Sequence, residues 1–179
     1  HKKYKQTKRG KFPEEWLIGK FPDYVDFQEG PGIMAKDFTT LGVPLLRITN
    51  LKNKKINLEG CNFLSPQKVD EKWNHFKLKE KDILISCSAS TEMSEVTKEA
   101  EGAIAYTGII RLRPLDNLNR RFLKYYVESD EYINQINRMK TGSTIQHYGP
   151  THLKKIFIPV PSMHEQKQIV NIFSKIFYD

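Results

Sequence analysis

The sequence predicts an α+β domain built on a twisted mixed or antiparallel sheet, with a few helices and a C-terminal helix. Three observations carry this. Short apolar runs bounded by Gly, Pro, Asn or Ser recur from residue 24 to residue 114. Helical spacing dominates only from residue 119 onwards. Residues 142–177 then give a polar loop, a short apolar strand and a helix start, in that order. Strand runs followed by helices argue for α+β rather than an alternating α/β fold.

The elements follow in chain order. Residues 1–11 are polar and basic and read as a flexible N-terminal arm. Pro13, Trp16, Leu17 and Ile18 mark the start of the fold. Residues 24–27 read as a short strand, and the Gln-Glu-Gly-Pro-Gly run at 28–32 as a turn. Residues 43–48 form a strand with Pro44 near its start, and residues 49–55 a basic connection. Residues 62–64 are a strand piece. Ser65 as N-cap and Pro66 at the first helical position open a helix to Phe76, with Val69, Trp73 and Phe76 on its buried side. Residues 83–87 are apolar, short and bounded, as a covered strand is. A small polar loop follows at 88–92, then strands at 103–106 and 108–114. Residues 119–127 and 130–139 are helical, with Leu123, Tyr126, Val127, Ile133, Ile136 and Met139 on the core face. After the strand at 156–160, Pro161 stops the sheet. Ser162 and Glu165 have capping-box spacing, and Ile169, Val170, Ile172, Phe173, Ile176 and Phe177 continue as a helical stripe ending without a Gly or Asn cap.

Composition bounds function more loosely. The chain has 179 residues and a net charge of +8, with 39% hydrophobic residues, so a normal core is expected. The first twenty residues hold seven Lys or Arg against two Glu, leaving the remainder only mildly basic. Cys61 and Cys87 form neither a metal motif nor a disulfide framework, and a reducing cytoplasm is expected. No apolar run approaches the ~20 residues of a membrane helix.

Five stretches together resemble the target recognition domain in specificity subunits of type I restriction-modification systems. Gly142, Ser143 and Thr144 precede Leu153, Ile156, Pro159 and Pro161, then Glu165, Gln166 and Ile169. Gly42, Pro44, Leu46, Arg47, Asn50 and Leu51 fill a second motif, and Leu78, Lys81, Asp82, Ile83, Leu84, Ile85 and Ser86 a third. The Pro-Glu-Glu-Trp start at 13–16 and the group Phe122, Leu123, Tyr125, Tyr126 and Ser129 complete it. The resemblance implies residues 12–160 as the recognition domain and 161–179 as the truncated start of the helical spacer shared by that family. It also implies a non-catalytic component that reads one half of a bipartite double-stranded DNA site. Modification subunits carrying S-adenosylmethionine, and a restriction subunit, would be the partners; the chain itself would need no cofactor. The family pairs two such domains through long helices. A half-subunit would restore that arrangement as a homodimer through Ile169, Phe173, Ile176 and Phe177.

The residues themselves were tested against enzyme chemistry. There is no P-loop, no G-x-G-x-x-G and no G-x-S-x-G elbow, and the five histidines lack metal-ligand spacing. Glu165 and Lys167, with Asp82 upstream, are the one nuclease-like fragment. DNA reading needs Lys or Arg for phosphates and polar side chains for base edges. Three loops supply them: Arg47, Asn50, Lys52, Lys54 and Lys55; then Ser88, Ser90 and Thr91; then Lys140, Thr141, Ser143, Thr144, Gln146, His147 and Tyr148. The alternative is an assembly module that binds partner subunits through the C-terminal helix and has little DNA affinity.

Overall fold

The computed structural model describes residues 3–8, 10–52, 54–87, 93–141 and 148–177, with the backbone alone for residues 140, 141 and 177. In chain order the strands begin with β1 (Tyr4–Thr7), β2 (Gly10–Pro13), β3 (Leu17–Lys20), β4 (Val25–Glu29) and β5 (Phe38–Thr39). They continue with β6 (Val43–Leu46), β7 (Leu51–Lys52), β8 (Lys55–Ile56) and β9 (Asn62–Leu64). A helical stretch starts as α1 (Pro66–Lys68), widens into a π turn at Val69–Trp73 and tightens to a 3-10 turn at Asn74–Phe76. Then come β10 (Ile83–Ser86), β11 (Met93–Glu95), β12 (Ile104–Ala105) and β13 (Ile109–Pro114). The chain closes with α2 (Arg120–Val127), α3 (Asp130–Thr141), α4 (Pro150–Leu153), β14 (Phe157–Val160) and α5 (Met163–Phe177).

Two four-stranded sheets form the body. One has the order β11-β10-β13-β4 and is antiparallel throughout. The other has the order β12-β6-β9-β5 and is mixed, because β12 runs parallel to β6. This is the expected α+β class. The central strand β13 is covered on both faces, so Ile109, Ile110, Arg111 and Leu112 are all buried. Arg111 survives there because Asp26 holds its guanidinium at 2.6 Å. The main core packs Phe21, Ile83, Ile85, Ile110 and Leu112 against Leu123, Tyr126 and Ile136 of the helices. A second cluster lies between the two sheets around Leu46, Leu84 and Ile109, and a third joins Leu45, Leu64 and Ile104 to Val69.

Several expectations change. The arm is not free: β1 pairs with β2 in register, and Lys5 turns inward, donating to the carbonyls of Glu14 and Trp16. Strand β3 covers one edge of β14, and β7 with β8 turns the basic connection into a hairpin. These segments are too short for their alternation to be read locally, although in the hairpin Leu51 and Ile56 pack on the second cluster while Lys52 and Lys55 are exposed. Ser65 makes no capping hydrogen bond; Pro66 alone marks the helix start. Its buried face is as expected, with Val69 fully enclosed and Trp73 and Phe76 packed on the third cluster.

Gly42 is required by geometry, with a φ of 135° and a place where any Cβ would meet the Leu64 carbonyl oxygen at 2.2 Å. Gly30 is required by closeness alone: a Cβ there would lie 2.0 Å from the Ala105 oxygen. That contact brings the end of β4 against the turn between β12 and β13.

Candidate nucleic-acid interface

The turn from Tyr106 to Gly108 holds the flanks of two loops, and through Cys87 the flank of a third. The Tyr106 amide donates to Leu46 at 2.8 Å, one residue before Arg47. The Gly108 carbonyl accepts from the Cys87 amide at 2.8 Å, one residue before the loop at 88–92. The Cys87 carbonyl in turn accepts from the Tyr148 amide at 3.0 Å, one residue after the loop at 142–147. Glu29 locks the turn, because its Oε1 accepts from the Gly108 amide at 3.0 Å and from the Thr107 hydroxyl at 3.3 Å. The flanks of all three sequence-predicted loops therefore share one end of the antiparallel sheet.

Within the first loop the residues divide. Arg47 is exposed, with its guanidinium carbon 5.3 Å from the Phe38 ring centroid and 5.8 Å from that of Tyr106. Lys52 and Lys55 are exposed and sit directly opposite each other across the hairpin, a like-charge pairing that a bound anion would relieve. Lys54 occupies the turn with φ of 62°, and its ammonium lies 2.7 Å from Glu128 at the end of α2, so it faces the body. Asn50 requires a correction. It is buried, accepts the Arg47 amide at 2.8 Å and donates to the Asn57 carbonyl at 2.9 Å. Its amide is consumed in holding the hairpin and has no edge left for a base.

Ser88, Ser90, Thr91, Ser143, Thr144, Gln146 and His147 lie outside the described residues. Lys140 and Thr141 end α3, with only their backbone described. Tyr148 is the second correction: it is buried in the main core beside Tyr132 and Cys87. Burial, and then the neighbouring Cys87, push its hydroxyl up to about 12. Burial and the Glu29 carboxylate likewise push the Cys87 thiol up to about 12. Both are neutral anchors beneath the loops, and a thiol held so far up is no nucleophile.

The nuclease fragment is dismantled by partners. Asp82 is buried and forms two 2.6 Å hydrogen bonds with Arg113. Glu165 closes the capping box with Ser162 and accepts from the Trp16 indole at 3.5 Å. Among the described residues no group of three or more His, Cys, Asp or Glu is placed to hold a metal ion. Glu29 and Tyr106 carry no local signal, because their partners lie far away along the chain, and Phe38 shows none in its own short strand; the Gly-rich turn at 28–32 is the nearest hint.

The C-terminal helix α5 buries Val170, half-buries Ile169, and leaves Ile172, Phe173 and Ile176 exposed; the Phe177 side chain lies outside the described residues. Phe173 touches the Tyr125 ring at 5.3 Å between centroids. An open groove of about 1010 Å³ runs beside it, walled by Phe12, Trp16, Phe122, Tyr125, Ile169 and Phe173.

A two-sheet body that brings the flanks of three polar loops together is the construction of a recognition domain. Residues 13–179 match the type I restriction modification DNA specificity domain, and the chain belongs to that family. It is 26% identical to the type I restriction enzyme MjaVIII specificity subunit of Methanocaldococcus jannaschii, over 98% of this chain and 43% of that one. It is 27% identical to the EcoKI specificity subunit of Escherichia coli, over 89% of this chain and 36% of the other. The fold is that of the HsdS subunit from Thermoanaerobacter tengcongensis, with a TM-score of 0.70 at 20% identity, covering 92% of this chain and 38% of that one. The chain thus spans less than half the length of each of these relatives.

Proposed function

We propose that this domain reads one part of a split duplex DNA site and performs no chemistry of its own. Methyl transfer, with S-adenosylmethionine, and cleavage then belong to partner modification and restriction subunits, acting in the cytoplasm. The observation that carries the reading is the backbone chain of bonds that brings the flanks of three polar loops together, Leu46 on Tyr106, Cys87 on Gly108 and Tyr148 on Cys87. Family membership supports it. Among the described residues no helix is long and apolar enough to cross a membrane.

The loops divide their work. Lys52 and Lys55 hold phosphates, which fixes register but carries no sequence information. Gln146 and His147 supply the base-edge contacts. Selection from a randomised duplex pool tests this. Lys52→Ala or Lys55→Ala weakens binding evenly across sequences and flattens the salt dependence by about 0.9 per lost contact. Gln146→Ala or His147→Ala changes the selected sequence. If both pairs shift the selected sequence, or neither does, the division is wrong. Methyl transfer by the chain alone would overturn the non-catalytic assignment.

The exposed face of α5 serves assembly, with a modification subunit or with a second copy. Ile172, Phe173 and Ile176 support this, since such a stripe gains from burial against another helix. Ile176→Glu is expected to abolish co-purification with the modification subunit, and any dimer seen by sedimentation, while leaving loop-dependent DNA selection intact.

A further inference from the structure

Arg47 is held differently from the arginines that the body pairs with carboxylates. Arg111, Arg113 and Arg120 are each spent on a carboxylate of the body. Arg47 is exposed, and among the described residues its guanidinium contacts only the faces of Phe38 and Tyr106. Neither ring is free to leave. Tyr106 is fixed by its hydroxyl, which donates to the Ile33 carbonyl at 3.1 Å, and Phe38 packs on the third core cluster. Backbone holds the other end of the side chain, through the bond from the Arg47 amide to Asn50. A cation held over aromatic rings in this way is attracted by their faces and spends no N–H donor on either ring.

This arrangement selects among the groups a duplex offers. A base reader must project from the body into a groove. Arg47 is instead held against two anchored rings, so its reach is that of the domain surface. The group that meets a protein surface is the phosphate rail, and a planar fork of N–H donors matches two phosphate oxygens. Resting on the DNA-reading proposed above, we infer that Arg47, clasped by Phe38 and Tyr106, is a phosphate clamp that sets the register of the duplex over the three loops. It positions the DNA and reads no base. The Tyr106 that clasps it belongs to the turn that holds Cys87 at the flank of the loop at 88–92, and Cys87 in turn holds Tyr148 at the flank of the loop at 142–147, so the clamp and the loop flanks share one reference.

The test compares the 179-residue chain with Arg47→Ala and Arg47→Lys, by equilibrium binding to the wild-type selected duplex across a salt series and by selection from a randomised pool. Arg47→Ala is expected to bind about tenfold or more weaker, with a salt slope shallower by about 0.9 and the same selected sequence. Arg47→Lys, which keeps the charge and loses the fork, is expected to retain the wild-type slope and only part of the affinity. It also covers the case in which the alanine variant folds poorly, which a thermal melt would reveal. A selected sequence that relaxes at one position while the slope stays as in wild type would make Arg47 a base reader and overturn the clamp. Unchanged affinity and slope in Arg47→Ala would overturn it too. Wild-type chain that shows no salt-dependent DNA binding at all would instead bring down the DNA-reading itself, and the clamp with it.

Discussion

Asn50 shows how a side chain that looks suited to reading bases can be claimed by its own backbone. An amide in a basic loop has the right donors and acceptors for adenine. Here those groups are turned inward, onto the Arg47 amide and the Asn57 carbonyl, and the residue is buried. The sequence could place Asn50 in the right loop but not choose its rotamer, because the choice depends on whether residues 51–56 fold back as a hairpin. Tyr148 was misread for the same reason: its place in a polar loop concealed that the chain re-enters the core at that residue. Lys52, Lys55 and Arg47 remain exposed, and among the described residues no carboxylate pairs with any of them, Arg47 being held instead over the Phe38 and Tyr106 rings. The Asn50→Leu variant should lose about 1–3 kcal/mol, the cost of leaving buried backbone groups unpaired. Urea unfolding measures this, and a variant as stable as wild type would show that the amide is not holding the loop.

At the scale of elements, local signals were read well and distant ones poorly. The Ser162–Glu165 capping box formed as the spacing predicts, and the core faces of α2 and α3 followed their periodicity. What fixes α5 to the body was not legible. Gln166 is fully buried; its Oε1 accepts the Asn119 amide at 2.7 Å, while its Nε2 donates to the Pro161 carbonyl at 2.9 Å and to the Asn117 carbonyl at 3.2 Å. One side chain thereby joins the root of α5 to the start of α2, whose N-cap is Asn119 itself. A glutamine beside a capping glutamate reads locally as a solvated helix residue, since its partners lie in another element. Replacing it with leucine keeps the volume and removes all three bonds. The Gln166→Leu variant is expected to lose about 1–3 kcal/mol, with faster amide exchange at Asn119 and in the first turn of α5. Unchanged exchange at those amides would mean that apolar packing through Val170 holds the helix root without it.

For the whole molecule, the class and most of the buried strands were legible because those strands carry their own apolar runs; the buried β11, with the run Met-Ser-Glu, carries none. The division into two sheets, and the parallel pairing of β12 with β6, depend on long-range contacts that no local pattern records. The end where the loops gather depends on the same contacts, and it has a measurable pH signature. Cys87 is raised from an ordinary 9.0 and Tyr148 from an ordinary 10.0, each to about 12, chiefly by burial. Tyr132 beside them is raised as well. In the unfolded chain these groups ionise near their ordinary values, while the folded chain keeps their protons. Their contribution to stability is thus complete below about pH 9 and is lost progressively as pH rises towards 12. Lysines also discharge in this range, so the comparison that isolates the anchors is wild type against Tyr148→Phe. The variant, lacking one ionisable hydroxyl, should show a shallower fall in unfolding free energy above pH 9, measured by denaturant titration at each pH. Parallel slopes in the two proteins would mean that Tyr148 ionises as freely when folded as when unfolded, and that the loops do not rest on a buried, neutral floor.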